Sequence, residues 1–440
     1  MKKTNIPTPF APTSASEISE SFLHYIWKTK NFNALELIST AGKPIRLSNW
    51  GNHNHDAGPD FLDGMMEYDG ITWAGHIEIH VKSSDWYKHH HQVDPAYDQV
   101  ILHVVWEDDR PVKDIHLVPI PTLVMSDLVD PALIDRSKDL VQSRYRLPCA
   151  NHIGGISTFW LNAWKERQLI ERLEFRTIKL MLRLEEVNGD WEQVAFELLF
   201  RSMGFHANSD ALEALAQDIS WQLVRKHVHD ENNLQAILFG RAGMLDEKLT
   251  GKYPDKLKTT YGFLKNKHKL SSQVFIKWNL KGARPANFPT IRIAQLASLL
   301  FNKTSLMRNI IEAESVDQLK VMFELNVHEF WNTHYVFHKS VDQTRIGLSA
   351  SSVRLLIINY CIPLIYASGY IKQDEMLKER AIRFLYEMPT EKNSVLSEFK
   401  SAGVLCRSAA ESQALLHTFK VYCAPKRCLE CQVGAKVVSD

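Results

Sequence analysis

"MMEYDGITWAGHIEIHVK", residues 65–82, decides how the N-terminal part of this chain is read. Two apolar-rich arms flank Asp69-Gly70, a dipeptide suited to the two-residue turn of an antiparallel hairpin because both positions tolerate a left-handed backbone. Past the turn the alternation is strict. Ile77, Ile79 and Val81 fall on one face of a strand, and Glu78, His80 and Lys82 on the other. On an open, solvated edge a row of carboxylate, imidazole and ammonium needs no explanation. Beside further acids and bases it is a candidate site.

Such neighbours lie on both sides. Upstream, "GNHNHDAGPDFLDG" (51–64) packs Asp56 and Asp60 around Gly58-Pro59. Downstream, "SSDWYKHHHQVDPAYD" (83–98) carries Asp85, His89, His90, His91 and Asp94; it is too polar for a strand and reads as a loop with a helical turn. "YDQVILHVVWEDD" (97–109) is a near-continuous apolar run, the mark of a strand buried on both faces, and its His103 reads as a hydrogen-bonded core histidine. Ahead of all these, "LELISTAGKPIRLSN" (35–49) reads as a hairpin. "EISESFLHYIWKTKN" (17–31) reads as an amphipathic helix, with Ile18, Phe22, Ile26 and Trp27 at helical spacing and Ser16 as its N-cap. The order is α–β–β–β–(α)–β.

Two carboxylates delivered by a hairpin, with a base two residues beyond the second, can cleave a phosphodiester. The acids hold Mg²⁺ or Mn²⁺ through oxygen, the ion polarises the phosphoryl group and acidifies a bound water, and the base takes the water's proton. Here Asp60 and Glu78 are the acids, His80 the base and Lys82 its alternative. Asp56 is a further metal candidate, and so is His89 or His91 from the polar loop. Asp56, His80 and His91 together would suit a transition metal, since imidazole favours such ions over magnesium. A "PD" step in a hairpin before an "E-x-base" step resembles the PD-(D/E)xK nuclease superfamily over about residues 17–106. The customary lysine is replaced by His80, and Glu20 stands where some members add a helical glutamate.

Past Ser157 the pattern becomes helical. "FWLNAWKERQLIERLEFRTIKLMLRLEEV" keeps apolar steps of three and four for about eight turns, and several shorter helices follow. "VRLLIINYCIPLIYASGY" (353–370) is broken by Asn359 and Pro363 and falls short of the roughly 20 residues of a membrane span, so a buried helix is expected. "WNLKGARPANFPTIRIAQLA" gathers Lys281, Arg284 and Arg292 around two prolines; on a fixed loop such cations can grip phosphates, although a rigid interhelical loop explains them equally simply.

"VYCAPKRCLECQVG" supplies Cys423, Cys428 and Cys431 as C-x4-C-x2-C. Three thiolates so spaced suit a structural zinc site that needs one more ligand, for which Cys406, His417 and Cys149 are the candidates. An iron–sulfur cluster is the alternative. Some members of the nuclease superfamily join one distant cysteine to three near the C-terminus, and on that resemblance Cys149 would be the distant one.

Fifty-two lysines and arginines against 51 aspartates and glutamates give no global basic field, so any nucleic-acid partner must be held by a local patch. The N-terminus lacks the apolar run of a secretory signal, so the expected location is cytoplasmic, without a membrane. Taken in order, "GNHNHDAGPDF", "GHIEIHVKSSDW", "HHQVDPAYDQVILHVVWE", "RPANFPTIRIAQLA" and "YCAPKRCLECQVG" resemble a family of uncharacterised bacterial proteins, a domain of unknown function. That resemblance implies no activity or catalytic residue.

The expectation is therefore an α+β protein: a disordered leader (1–14), a small α/β nuclease-like domain with a mixed sheet (15–150), a large all-α domain (151–405), and a C-terminal helix with a cysteine metal knuckle (406–440). Its expected function is metal-dependent phosphodiester hydrolysis in DNA or RNA. The rival is a non-enzymatic nucleic-acid or protein interaction module with structural zinc.

Overall fold

The computed structural model describes residues 14–205, 207–245, 248–270, 276–280 and 284–440; the expected leader, apart from Ser14, and Lys281 lie outside them. Two compact units emerge. The first takes residues 1–164, 397–405 and 418–440, and the second 165–396 and 406–417. The expected boundaries at 150 and 406 differ from this division, because part of the C-terminal segment returns to the first unit.

That unit begins with α1 (Glu20–Thr29). Its cap is Ser19, whose Oγ accepts from the Phe22 amide at 3.3 Å, rather than Ser16. The strands follow as β1 (Leu37–Ile38), β2 (Pro44–Asn49), β3 (Asn52–His53), β4 (Phe61–Tyr68) and β5 (Ile71–Lys82). After α2 (Asp85–Lys88) come β6 (Val100–Glu107) and β7 (Thr122–Val124), then α3 (Pro131–Val141) and α4 (Ala150–Ile153); α5 (Thr158–Glu186) starts at the end of this segment and belongs mostly to the second unit. The sheet runs β1-β2-β4-β5-β6-β7, with β3 beside β4. Pairing is antiparallel as far as β5, and parallel from β5 to β6 and from β6 to β7. It is therefore a mixed sheet, as expected.

Local chemistry explains the arrangement. Asp69 and Gly70 take φ of +56° and +75°, the double left-handed turn that closes β4 on β5 with Tyr68 opposite Ile71. Two parallel neighbours cannot be joined by a tight turn, so residues 83–99 must cross over from the end of β5 to the start of β6. Trp86, fully buried, anchors that crossover. Gly75 lets the start of β6 come close, since a Cβ there would sit 2.3 Å from the Gln99 carbonyl. β6 is buried from Val100 to Trp106, as its apolar run predicts. β3 and β7, two and three residues long, are too short to show a period.

The second unit is helical. Its core gathers Phe196, Phe200, Trp221, Phe239, Trp331 and Phe384. Residues 350–372 form one continuous helix. By length and composition alone it could cross a membrane, yet Ile362–Gly369 are buried. At Ile357–Cys361 it widens into a π-turn. Pro363 has no N–H to offer the carbonyls four and five residues back, those of Asn359 and Ile358. Arg176 supplies the missing donors, its Nη2 to Asn359 O at 3.2 Å and its Nη1 to Ile358 O at 3.3 Å.

Removing these donors strands two carbonyls. Arg176→Met is expected to cost about 1–3 kcal/mol, read as a lower midpoint in denaturant. In a Pro363→Ala background, where a backbone N–H is restored, the loss should shrink; equal losses in both backgrounds would dismiss the pairing.

Candidate metal centre

Gly58, at φ +111°, turns the chain into Pro59-Asp60 and so into β4. The β4–β5 register sets Phe61 opposite Ile77, which brings Asp60 alongside Glu78. The two residues then lock reciprocally: the Asp60 amide donates to Glu78 Oε2 at 3.1 Å, and the Ile79 amide donates to Asp60 Oδ2 at 2.9 Å. From α1, His24 Nε2 reaches 3.3 Å from the same Asp60 oxygen. Glu20, one turn earlier on α1, lies in the field of His89, Asp60, His24 and Asp85.

The other oxygen of Glu78 faces imidazoles. Glu78 Oε1 is 3.5 Å from His80 Nε2 and 3.4 Å from His91 Nε2. His80 Nε2 is in turn 3.1 Å from His89 Nδ1. One ring nitrogen each from His80, His89 and His91 lies within 4.8 Å of the other two, the one such group of metal-ligating atoms among the described residues. The crossover makes this possible: α2 carries the chain off the end of β5, and the 3-10 turn His91–Val93 brings His91 back, stacked on Tyr97 at 3.7 Å. Beneath the group, His80 Nδ1 meets His103 Nε2 at 2.9 Å.

Burial sets the charges. Glu78 is pushed up to about 9 by burial and then by the Asp60 carboxylate. Burial, followed by the neighbouring imidazoles His103, His91 and His89, pushes His80 down to about 2. Burial does the same to His103, to about 3, and to His91, to about 4. Burial thus favours the protonated carboxyl at Glu78 and the neutral ring at His80, His91 and His103. When His80 Nδ1–H donates to His103, the Nε2 lone pair points at Glu78 and His89, the second-shell arrangement that readies a histidine for a metal. His91 Nδ1 and His103 Nδ1 find no hydrogen-bond partner in the protein.

Ligands about 2.1 Å from a metal stand about 3.0–3.4 Å apart; the three imidazole nitrogens lie within 4.8 Å of one another, and Glu78 Oε1 is 3.5 and 3.4 Å from those of His80 and His91. Glu78, His80, His89 and His91 are the residues that could hold it. Three imidazoles with one carboxylate suit zinc, iron or manganese more than magnesium.

The remaining expected site residues are dispersed. Asp56 is exposed, its amide bonded to Asn54 Oδ1 at 3.0 Å within the turn. Lys82 pairs with Glu107 at 3.0 Å, its cross-strand neighbour on β6. Arg292 is buried, bonded to Gln295 at 2.7 Å and Asn287 at 2.6 Å, and stacked over Phe205. Arg284 is exposed. Cys406 contacts Thr390 and Ser412, and His417 pairs with Glu171 at 3.2 Å, both within the second unit. His24 was not singled out from the sequence; its place one turn after Glu20 was the available signal.

A pH prediction follows from the fully buried His103. An imidazole held below its ordinary value stabilises the fold above pH 6.5, and that stability is lost as pH falls because the unfolded chain takes up the proton first. Glu78, held high, acts oppositely, its effect costing stability as pH rises toward 9. The difference between wild type and His103→Gln isolates His103. In metal-free buffer the wild type should lose about 1.5 kcal/mol more than the variant between pH 6.5 and 5. Parallel denaturation curves would contradict this.

No curated protein and no solved structure matches the chain. A family model does match, over a span that includes every residue of the centre and ends before Cys423. The chain belongs to the family described as "Protein of unknown function (DUF2851)", whose model matches residues 20–394.

Proposed function

We propose that the protein is a metal-dependent hydrolase of phosphodiesters in DNA or RNA, with its metal held by Glu78, His80, His89 and His91. The observation that supports this most is Glu78 itself: a buried carboxyl clasped by the Asp60 amide on one oxygen and faced by two imidazoles on the other. A bound divalent ion supplies a Lewis acid and a water of lowered pKa. The protein's part is to hold Glu78 and His80 in place without solvent and to leave a solvent side. His89, exposed, is on that side.

Asp60 is assigned the proton of the attacking water, since it sits beside the ligand carboxylate and within reach of His24. His103 orients His80 and touches neither metal nor substrate. Lys82 takes no part, its ammonium being spent on Glu107. Of the expected Mg²⁺ or Mn²⁺ the donor set argues for Mn²⁺, with Fe²⁺ and Zn²⁺ beside it. The phosphodiester assignment leans on the acid–hairpin–acid-x-base order of Asp60, Glu78 and His80, with two roles exchanged: His80, expected as the base, is assigned to the metal, and Asp60, expected as a ligand, takes the proton. The rival binding module is less favoured, because Arg292, one of its three expected cations, is occupied inside the helical unit.

Cleavage of single- and double-stranded DNA and RNA, measured with each of these ions and with Mg²⁺, tests the reading. Glu78→Gln keeps the shape and the Asp60 contact and should lower turnover about 10²-fold or more, as should His80→Ala. Lys82→Ala should stay within about threefold of wild type. Equal turnover in wild type and Glu78→Gln, or none with any ion, would remove the proposal.

A further inference from the structure

Away from the metal centre, and from Cys149, Cys423, Cys428 and Cys431 buried in the first unit, the second unit gathers arginines. Arg172 and Arg176 stand one turn apart on α5, on the same face of the helix. Arg176 donates to the Ile358 and Asn359 carbonyls of the π-turn. Carbonyls satisfy its hydrogen bonds and leave its charge unbalanced. Arg172 Nε is buried and has no hydrogen-bond partner in the protein. Glu391, whose field reaches both guanidinium groups, is itself bonded by Gln413. Two neighbouring cations in low-polarity surroundings pay for desolvation and also repel each other. Burial pushes Arg172 down to about 10; burial, and then the charge of Arg172, pushes Arg176 down to about 9.

These cations border an empty space. A cavity of about 360 Å³ is lined by Arg176, Arg201, Ser202, Phe205, Ser209 and Asn359. Its size falls at the low end of small-molecule sites. Gly204 lets the helix Ser209–Asp218 start hard against the end of the helix Trp191–Met203, since a Cβ there would sit 2.4 Å from the Ser209 amide nitrogen. That close approach brings Ser202 and Ser209 to one cavity. Asn208, in the cap position, turns its side chain to Asn279 instead, accepting from its amide at 2.8 Å and donating to its carbonyl at 3.0 Å. The start of the helix, with its partial positive charge, therefore has no side-chain cap.

Arg201 bonds Asp210 at 2.9 Å and also Glu213, both through Nη1. It balances those acids and keeps Nη2 and Nε for a further acceptor. Asn359 brings the π-turn to the cavity, and such widened turns recur at functional sites. Water in this space would meet the donors and leave the charge of Arg172 and Arg176 standing. An anion meets both needs. The donors come from three helices, which suits the three oxygens of a phosphoryl group better than the two of a carboxylate.

We propose that this cavity binds a phosphoryl group, held by Arg176 and Arg201 with Ser202 beside them, and with Arg172 lending its charge from the next turn of α5. The site lies in the second unit and does not depend on the reading of the metal centre.

Calorimetric titration of the full chain at constant ionic strength tests this, with inorganic phosphate, ribose 5-phosphate and ribose as probes. Saturable binding of one phosphate or one ribose 5-phosphate per chain is expected, and none of ribose. Whichever phosphate binds more tightly tells whether the site serves the free ion or an ester. Arg201→Gln and Arg172→Met should each weaken binding about tenfold or more. The loss in Arg172→Met, which acts through charge alone, should shrink as salt is raised. Glu78→Gln, at the metal centre, should bind as the wild type does. The wild-type titration decides the matter even where a variant fails to fold. No saturable binding of either phosphate, unchanged affinity in Arg201→Gln, or loss of binding in Glu78→Gln would each overturn the proposal.

Discussion

The N-terminal unit depends on one exchange of hydrogen bonds across two strands. The Asp60 amide holds Glu78, and the Ile79 amide, next to Glu78, holds Asp60. This exchange fixes a carboxyl that is almost wholly buried and leaves its second oxygen in a fixed direction. A buried carboxylate without a cation is costly, and the protein answers by holding Glu78 protonated, its pKa pushed up to about 9. Burial in the same low-polarity surroundings holds His80 and His103 below the ordinary imidazole value. The result is a group of lone pairs and one removable proton, ready for a divalent ion to supply the missing charge.

Position follows from topology. β5 is antiparallel to β4 and parallel to β6, so a tight turn feeds its start and a long crossover leaves its end. The turn brings Asp60 to Glu78. The crossover brings His89 and His91 to His80, and β6 brings His103 up from below. α1 covers the site with Glu20 and His24. Four segments thus meet at one spot on the sheet, each for a reason rooted in its own connection.

The sheet was largely legible because its signals are local. Asp69-Gly70 marks the hairpin, the alternation from Ile77 to Lys82 sorts the faces, and the apolar run of β6 announces burial on both sides. The convergence of Asp60 and Glu78 followed from the same register. Contacts that bridge long stretches were not legible. Nothing local says that Lys82 is paired off by Glu107 in the β5–β6 register, or that Asp56 stays in its turn while both candidate imidazoles of the loop, His89 and His91, come to His80. Arg292 looked like a cation beside a loop and is a buried hydrogen-bond donor. Nothing local says that Cys149 shares a unit with residues 418–440 while Cys406 and His417 belong to the other. Ser16 was the expected cap of α1, and Ser19, three residues on, takes that place.

The most direct test is anomalous diffraction from crystals of the protein soaked with Mn²⁺ or Zn²⁺. The account predicts a peak about 2.0–2.2 Å from Glu78 Oε1, His80 Nε2, His89 Nδ1 and His91 Nε2. A map without that peak, with Glu78 hydrogen-bonded directly to His80 or His91 at saturating metal, would contradict it.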